Sequence, residues 1–119
     1  MLYLSPPTAA YQKARNNTAK LVTKSSIILF KENSFFKLDQ DQTYIGLTIS
    51  KRSVNKAVKR NKIKRRYKAI IREYLKDYGL PNLTVIFIVR AQIANFSFAT
   101  LQKELIHSLN KIRQQQYNK

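Results

Sequence analysis

A chain of 119 residues with 44% hydrophobic content is long enough for one domain with a buried core. Its 23 basic and 6 acidic residues leave a formal net charge of +17, a self-repelling surplus that points to a polyanionic partner, nucleic acid ahead of an anionic membrane. Cysteine is absent, which excludes disulfides and thiolate metal sites, and no apolar run reaches the roughly 18 residues of a membrane span.

The opening MLYLSPPTAAYQK lacks a basic segment followed by an apolar core, so it does not read as a secretory signal, and a cytoplasmic location is expected. Ser5 with Pro6 and Pro7 predicts a helix start, Ser5 as cap and Pro6 in the first helical position. That helix should run to about Arg15, with Tyr11 and Ala14 on one face, before Asn16, Asn17 and Thr18 break it. Residues 25–31 (SSIILFK) are β-branched and aromatic and predict a strand. A turn over 31–34 follows, then Phe35 to Leu38 as a second strand or the end of a hairpin, then a polar loop at 39–42. Residues 43–49 predict a strand with Ile45, Leu47 and Ile49 on one face and Tyr44, Gly46 and Thr48 on the other. Gly46 leaves room for another group to approach the backbone.

Residues 53–78 predict one long helix, about 39 Å at 1.5 Å per residue, with Ser53 as cap and Gly79 and Pro81 as its stop. Between Lys51 and Lys76 stand twelve Lys/Arg and one acid, Glu73. Ile63, Tyr67, Ile70, Ile71, Tyr74 and Tyr78 recur at helical spacing and form a face that packs. Opposite them Asn61, Arg65, Lys68 and Arg72 line up, with Lys62 and Lys76 close by. Residues 83–90 (LTVIFIVR) read as a buried central strand, and 91–96 as a loop. Ser97 caps a last helix carrying Leu101, Leu105, Leu109 and Ile112, and residues 114–119 are expected to fray. The pattern is an α+β domain spanning 1–119, one sheet with helices against it. A crossover through the long helix would be right-handed by default.

Nothing in the chain assembles into a protein active site. His107, the lone histidine, lies on the last helix beside Leu105, Ile106 and Leu109; Asp39 and Asp41 read as a solvated loop; Glu73 and Asp77 read as surface pairing partners. With Gly46 and Gly79 as the two glycines there is no phosphate-binding glycine loop. The cationic helix is the feature to explain. A solvated face normally mixes signs, whereas this one suits phosphates, whose neutralisation releases counterions. Arg60, Arg65 and Arg72 can fork onto phosphate oxygens, and Asn61 can bond a sugar or a phosphate. Lys51, Arg52, Lys56, Lys62 and Lys64 extend the same set. A ribosomal or assembly protein that binds RNA without turnover, and a DNA regulator using the long helix in the major groove, are the rival readings.

Lys51-Arg52, Ala57-Val58, Arg60-Asn61, Lys64-Arg65 and Lys68 resemble the RNR motif of the bacterial ribonuclease P protein subunit. Residues 44–50 resemble that family's strand into the motif, 85–90 its apolar strand ending in arginine, Thr100, Leu101 and Leu105 its closing helix, and Tyr11 to Ala14 its first helix. The resemblance spans about residues 8–113. It implies a two-layer α/β sandwich of order αβββαβα, similar to the second domain of a small-subunit ribosomal protein, with a left-handed βαβ crossover against the default. It implies a subunit that binds the catalytic RNA of ribonuclease P and the 5′ leader of precursor tRNA, the RNA with Mg²⁺ performing the hydrolysis and no metal held tightly by the protein. Arg60, Asn61, Lys64, Arg65 and Lys68 would contact RNA, and Tyr11 would stack in a leader cleft where Arg15 suits a phosphate; Phe30, Tyr44, Phe87 and Val89 are candidates for the cleft floor, strand parity leaving open which face is exposed. The free protein is expected to be monomeric. The chain departs from the family at Arg15, where a second aromatic is usual, at Thr18 for glycine, at Lys68 for arginine, at Ala69 for an acid and at Ala91 for proline.

Overall fold

In the computed structural model, which describes residues 2–117, the elements are α1 (Thr8–Asn17), β1 (Ala19–Val22), β2 (Ser26–Glu32), β3 (Thr43–Thr48), α2 (Ala57–Asp77), β4 (Leu83–Val89) and α3 (Phe98–Tyr117). Short 3-10 turns occupy Asn33–Phe36 and Ala91–Asn95. The strands form one mixed sheet in the order β1-β2-β4-β3. β1 with β2 and β2 with β4 are antiparallel; β3 and β4 are parallel and joined through α2. β4 is central in the sheet and covered on both faces, Val85, Phe87 and Val89 by α2 and α3 and Ile86 and Ile88 by α1, which is why its sequence is apolar without alternation.

Register assigns every side chain to a face. Ile28 pairs with Phe87, Phe30 with Val85, and Ile45 with Val85 on the other edge. These residues form the main core with Tyr67, Ile70, Ile71 and Tyr74 of α2 and Leu101, Leu105, Leu109 and Ile112 of α3. Each such buried side chain contributes about 1.5–3 kcal/mol. The sandwich is therefore the sheet against α2 and α3. The other face carries Ile27, Leu29, Ile86 and Ile88, and there α1 packs through Tyr11 and Ala14.

The order αβββαβα holds, but one strand is a different segment from the one expected. Phe35 to Leu38 is not a strand; a 3-10 turn ends at Lys37, whose φ is 57°. The cause is Asn33, which is fully buried and draws residues 39–42 back over itself. The missing strand is β1, four largely exposed residues paired on one side alone.

Helix boundaries also moved. α1 begins at Thr8 rather than beside Ser5, because Leu4 is bound to β3: its N–H donates to the Thr43 carbonyl at 2.8 Å and its carbonyl accepts from the Ile45 N–H at 2.9 Å. α2 begins at Ala57, four residues after the expected cap Ser53. Ser53 is instead held in a turn by Ser50, and Val54, 8% exposed, anchors the approach in the core. α2 spans 21 residues, about 32 Å. Its last capping contact is the Tyr78 N–H to the Tyr74 carbonyl at 2.9 Å; Gly79 does not have a positive φ, and the fully buried Leu80 draws the chain into the core. Ser97 does cap α3, accepting from the Thr100 N–H at 3.2 Å. α3 continues through residues 114–117 of the tail expected to fray, and the Tyr117 hydroxyl donates to the Pro81 carbonyl at 2.6 Å. Burial pushes the Tyr117 hydroxyl up to about 12, so it remains a donor at neutral pH. The rest of the expected tail, 118 and 119, lies outside the described residues.

Glu104 ties α3 to the start of β2. Its Oε1 accepts from the Ser25 N–H at 2.9 Å and the Ser25 hydroxyl at 2.6 Å. Burial alone would raise its pKa; hydrogen bonds from Ser25 and Thr23 and the Lys24 charge outweigh that and hold it below the usual carboxylate range. A depressed carboxylate contributes stability that is present above its unfolded pKa and lost as pH falls through the folded one. Glu104→Gln should therefore reduce the loss of stability between about pH 6 and about pH 3. Urea midpoints across that range check it, and parallel wild-type and variant profiles would refute it.

Candidate nucleic-acid interface

α2 presents its cations on the side away from Tyr67, Ile70, Ile71 and Tyr74. Asn61, Lys62, Arg65, Lys68, Arg72 and Lys76 are all exposed, as their helical phase requires. Lys51 and Arg52 are exposed in the turn before the helix, and Lys56 is exposed at the capping position. The helix opens with no acid in its first turn and no side-chain cap. Its positive dipole end is thus surrounded by further positive charge, an arrangement that costs stability until an anion arrives. Glu73 pairs with Lys76 at 3.7 Å near the other end.

Two expected RNA contacts sit differently. Arg60 turns back and donates through Nη1 to the Val54 carbonyl at 2.8 Å, half-buried, so it holds the approach loop. Lys64 is half-buried at the flank of α2 that faces β3.

The cleft side is organised by Tyr11. Its ring lies over Gly46, where an added Cβ would fall 2.7 Å from the hydroxyl oxygen and 2.9 Å from two ring carbons. The approach expected at Gly46 is therefore made by Tyr11. Burial raises the Tyr11 pKa, and a hydrogen bond from the Leu47 backbone opposes that rise. Gly46→Ala should cost about 1–3 kcal/mol of stability in the wild-type chain and close to nothing in a Tyr11→Ala background. Chemical denaturation of the two singles and the double measures this; additive costs would mean that the new methyl meets something else.

Tyr11 also lines a cavity of about 160 Å³ with Lys64, Lys68, Tyr3 and Leu47. The aromatic on α1 and the cations on α2 thus meet around the edge of β3. Arg15 is exposed one turn further along α1. Tyr44 shares the Gly46 face, as parity required, but is only 9% exposed. Phe30 is not a cleft residue: it faces α2 and α3 at 3% exposure, and Phe87 and Val89 lie on the same core side. The face beneath α1 is instead Ile27, Leu29, Ile86 and Ile88. Their phase follows from Gly46, which pairs with Ile86, which pairs with Leu29. Phe35 stands nearby, with the Lys13 and Lys31 ammonium groups 4.7 and 4.9 Å from its ring centre.

A family model described as Ribonuclease P matches residues 7–113. The chain belongs to the ribonuclease P protein family. This family is the protein subunit of ribonuclease P, which acts in tRNA 5′ processing. The ribonuclease P protein component of Pseudoalteromonas translucida is 33% identical over 104 residues, covering 87% of this chain and 69% of its own. That of Mycoplasma mycoides is 35% identical over 77 residues, covering 63% and 70%. The solved ribonuclease P protein of Staphylococcus aureus superposes with a TM-score of 0.78 over 95% of this chain and 97% of its own; at 20% identity it speaks for the ribonuclease P protein fold. A basic helix and the Tyr11 aromatic are thereby placed in an RNA-processing subunit, and the family carries with it binding to the ribonuclease P RNA.

Proposed function

We propose that the exposed side of α2 receives the ribonuclease P RNA while the α1 cleft receives the single-stranded 5′ leader of precursor tRNA. The observation that carries this is the cavity shared by Tyr11, Lys64 and Lys68, since it lets a strand pass from an aromatic platform directly onto the cationic helix. Bond breaking then belongs to the RNA. Among the described residues no group of three His, Cys, Asp or Glu converges, and Asp39 is engaged by the Asp41 N–H at 2.9 Å within its own turn. Mg²⁺ on the RNA partner would supply the charge stabilisation for hydrolysis. The protein's part is to neutralise two approaching polyanions and to position the leader. A monomeric cytoplasmic protein fits this role. Among the described residues no helix is long and apolar enough to cross a membrane.

Reconstitution tests the reading. The protein added to its cognate catalytic RNA at low Mg²⁺ should accelerate removal of the leader. Absence of stimulation would leave a structural RNA binder without turnover. Tyr11→Ala should weaken precursor tRNA binding by about 1–3 kcal/mol, the worth of one base–aromatic stack. Mature tRNA, which has no leader, should bind unchanged, and equal losses for both would count against the cleft.

A further inference from the structure

A second concave site lies on the flank of α2 opposite to Tyr11. The turn at 51–53, the first half of α2 and the segment after β4 enclose a cavity of about 490 Å³. That is within the range of about 300–1,000 Å³ typical of small-molecule sites. Arg52, Lys59, Lys62 and Arg66 line it, and among its described lining residues there is no acid. Ile63 and Phe96 form an apolar wall; both are half-buried and packed on the core, so their positions are fixed by the fold.

This site is separate from the outward row of cations. At 100° per residue Lys62 lies about 60° round the helix from Arg65, and Arg66 and Lys59 lie about 100–120° round in the same sense. Cations on a convex helix face diverge and meet a rod of phosphates. These four surround a hollow that also offers an aromatic side chain. Unneutralised convergent charge selects an anion, and a flat apolar wall selects a body that stacks. A nucleotide has both. A phosphate alone would leave Phe96 and Ile63 without a role, and a fatty headgroup would need an apolar surface wider than this one.

We infer that this cavity takes one unstacked nucleotide of the ribonuclease P RNA, its base against Phe96 and Ile63 and its phosphates among Arg52, Lys59, Lys62 and Arg66. The inference rests on the reading of α2 as the RNA-binding face, and it adds a site that reads a displaced base rather than a backbone. Lys62, on the boundary between the two surfaces, lets one strand contact Arg65 and still deliver its neighbour into the hollow.

The test uses the assembled holoenzyme with p-benzoylphenylalanine in place of Phe96 or, separately, of Arg65. Position 96 should cross-link to a single unpaired nucleotide and position 65 to several backbone positions. Removing the base of that nucleotide should weaken protein binding roughly 5- to 150-fold. Phe96→Leu, which keeps an apolar side chain, should cause a comparable loss with intact RNA and little further loss with the abasic RNA. Lys59→Glu, at an exposed rim position, should weaken binding to intact RNA without changing the melting temperature. Cross-links from position 65 but none from 96 would overturn the inference while leaving RNA binding by α2 intact. Cross-links from neither position would remove the RNA reading itself. ATP binding to the free protein that Phe96→Leu abolishes, again with cross-links from 65 alone, would assign the cavity to free nucleotides and equally overturn it.

Discussion

Replacing Arg65, Lys68 and Arg72 together with alanine is expected to weaken binding to the ribonuclease P RNA by about 100-fold or more at low salt, since each charge-assisted contact is worth roughly 1.5–3 kcal/mol. All three side chains are exposed on α2, so the melting temperature should hardly change. The salt dependence distinguishes a phosphate contact from other losses. Each phosphate contact removed should flatten the slope of log K against log salt by about 0.7–0.9, so the triple variant should be flatter by about two units. Arg65→Ala alone should account for about one of these. Affinities measured at several salt concentrations decide the matter. A weakened but equally steep dependence would mean that these cations act by positioning rather than by meeting phosphates.

The second large effect is on stability. Asn33 is fully buried. Its Nδ2 donates to the Asp39 carbonyl at 2.7 Å and the Gln42 carbonyl at 2.8 Å, and its Oδ1 accepts from the Thr84 hydroxyl at 2.7 Å. The side chain thus joins the loop before β3 to the start of β4. Alanine would remove all three bonds: the buried Thr84 hydroxyl would lose its partner, while the Asp39 and Gln42 carbonyls would keep the Gln42 and Asn82 N–H groups. The orphaned hydroxyl costs about 1–3 kcal/mol and each of the other two lost bonds about 0.5–1.5 kcal/mol, so Asn33→Ala should cost about 4 kcal/mol, a large share of the roughly 5–15 kcal/mol typical of a domain. The urea midpoint should fall sharply with little change in slope. Asn33→Asp keeps the Thr84 bond but sets a carboxylate against two carbonyls, and should be at least as damaging. A cost under about 1 kcal/mol for the alanine variant would show that water takes over the amide's partners.

Neither Asn33 nor the cleft floor was legible in the sequence, for physical reasons. The partners of Asn33 stand 6, 9 and 51 positions away, and only the folded sheet brings Thr84 to it. In SIILFKE the first five residues of β2 carry no clear alternation, so parity could not tell Ile27 and Leu29 from Ile28 and Phe30. β1, with the sequence AKLV and one paired side, carries too weak a pattern to register. The strong patterns were readable. Helical spacing in α2 and α3, the unbroken apolar run of β4 and the cap at Ser97 all correspond to structure. The row Asn61, Arg65, Lys68 and Arg72 was readable as a face because the apolar residues of α2 fixed its phase. That Arg60 bends back to Val54, and that Lys64 and Lys68 meet Tyr11, depend on how the loop and α1 dock, which periodicity within one helix does not encode.

The short run at the beginning of the chain has a protective consequence. β3 is a border strand, yet Leu4 engages Thr43 and Ile45 along its outer side and Tyr11 engages Leu47. The opposite border, β1, is four residues long and carries Lys20. A chain deprived of Leu2 to Leu4 would offer ready-made backbone donors and acceptors to a second molecule. At +17 mutual repulsion would still keep copies apart, but charge neutralisation by nucleic acid would remove that barrier and favour strand-on-strand clumping.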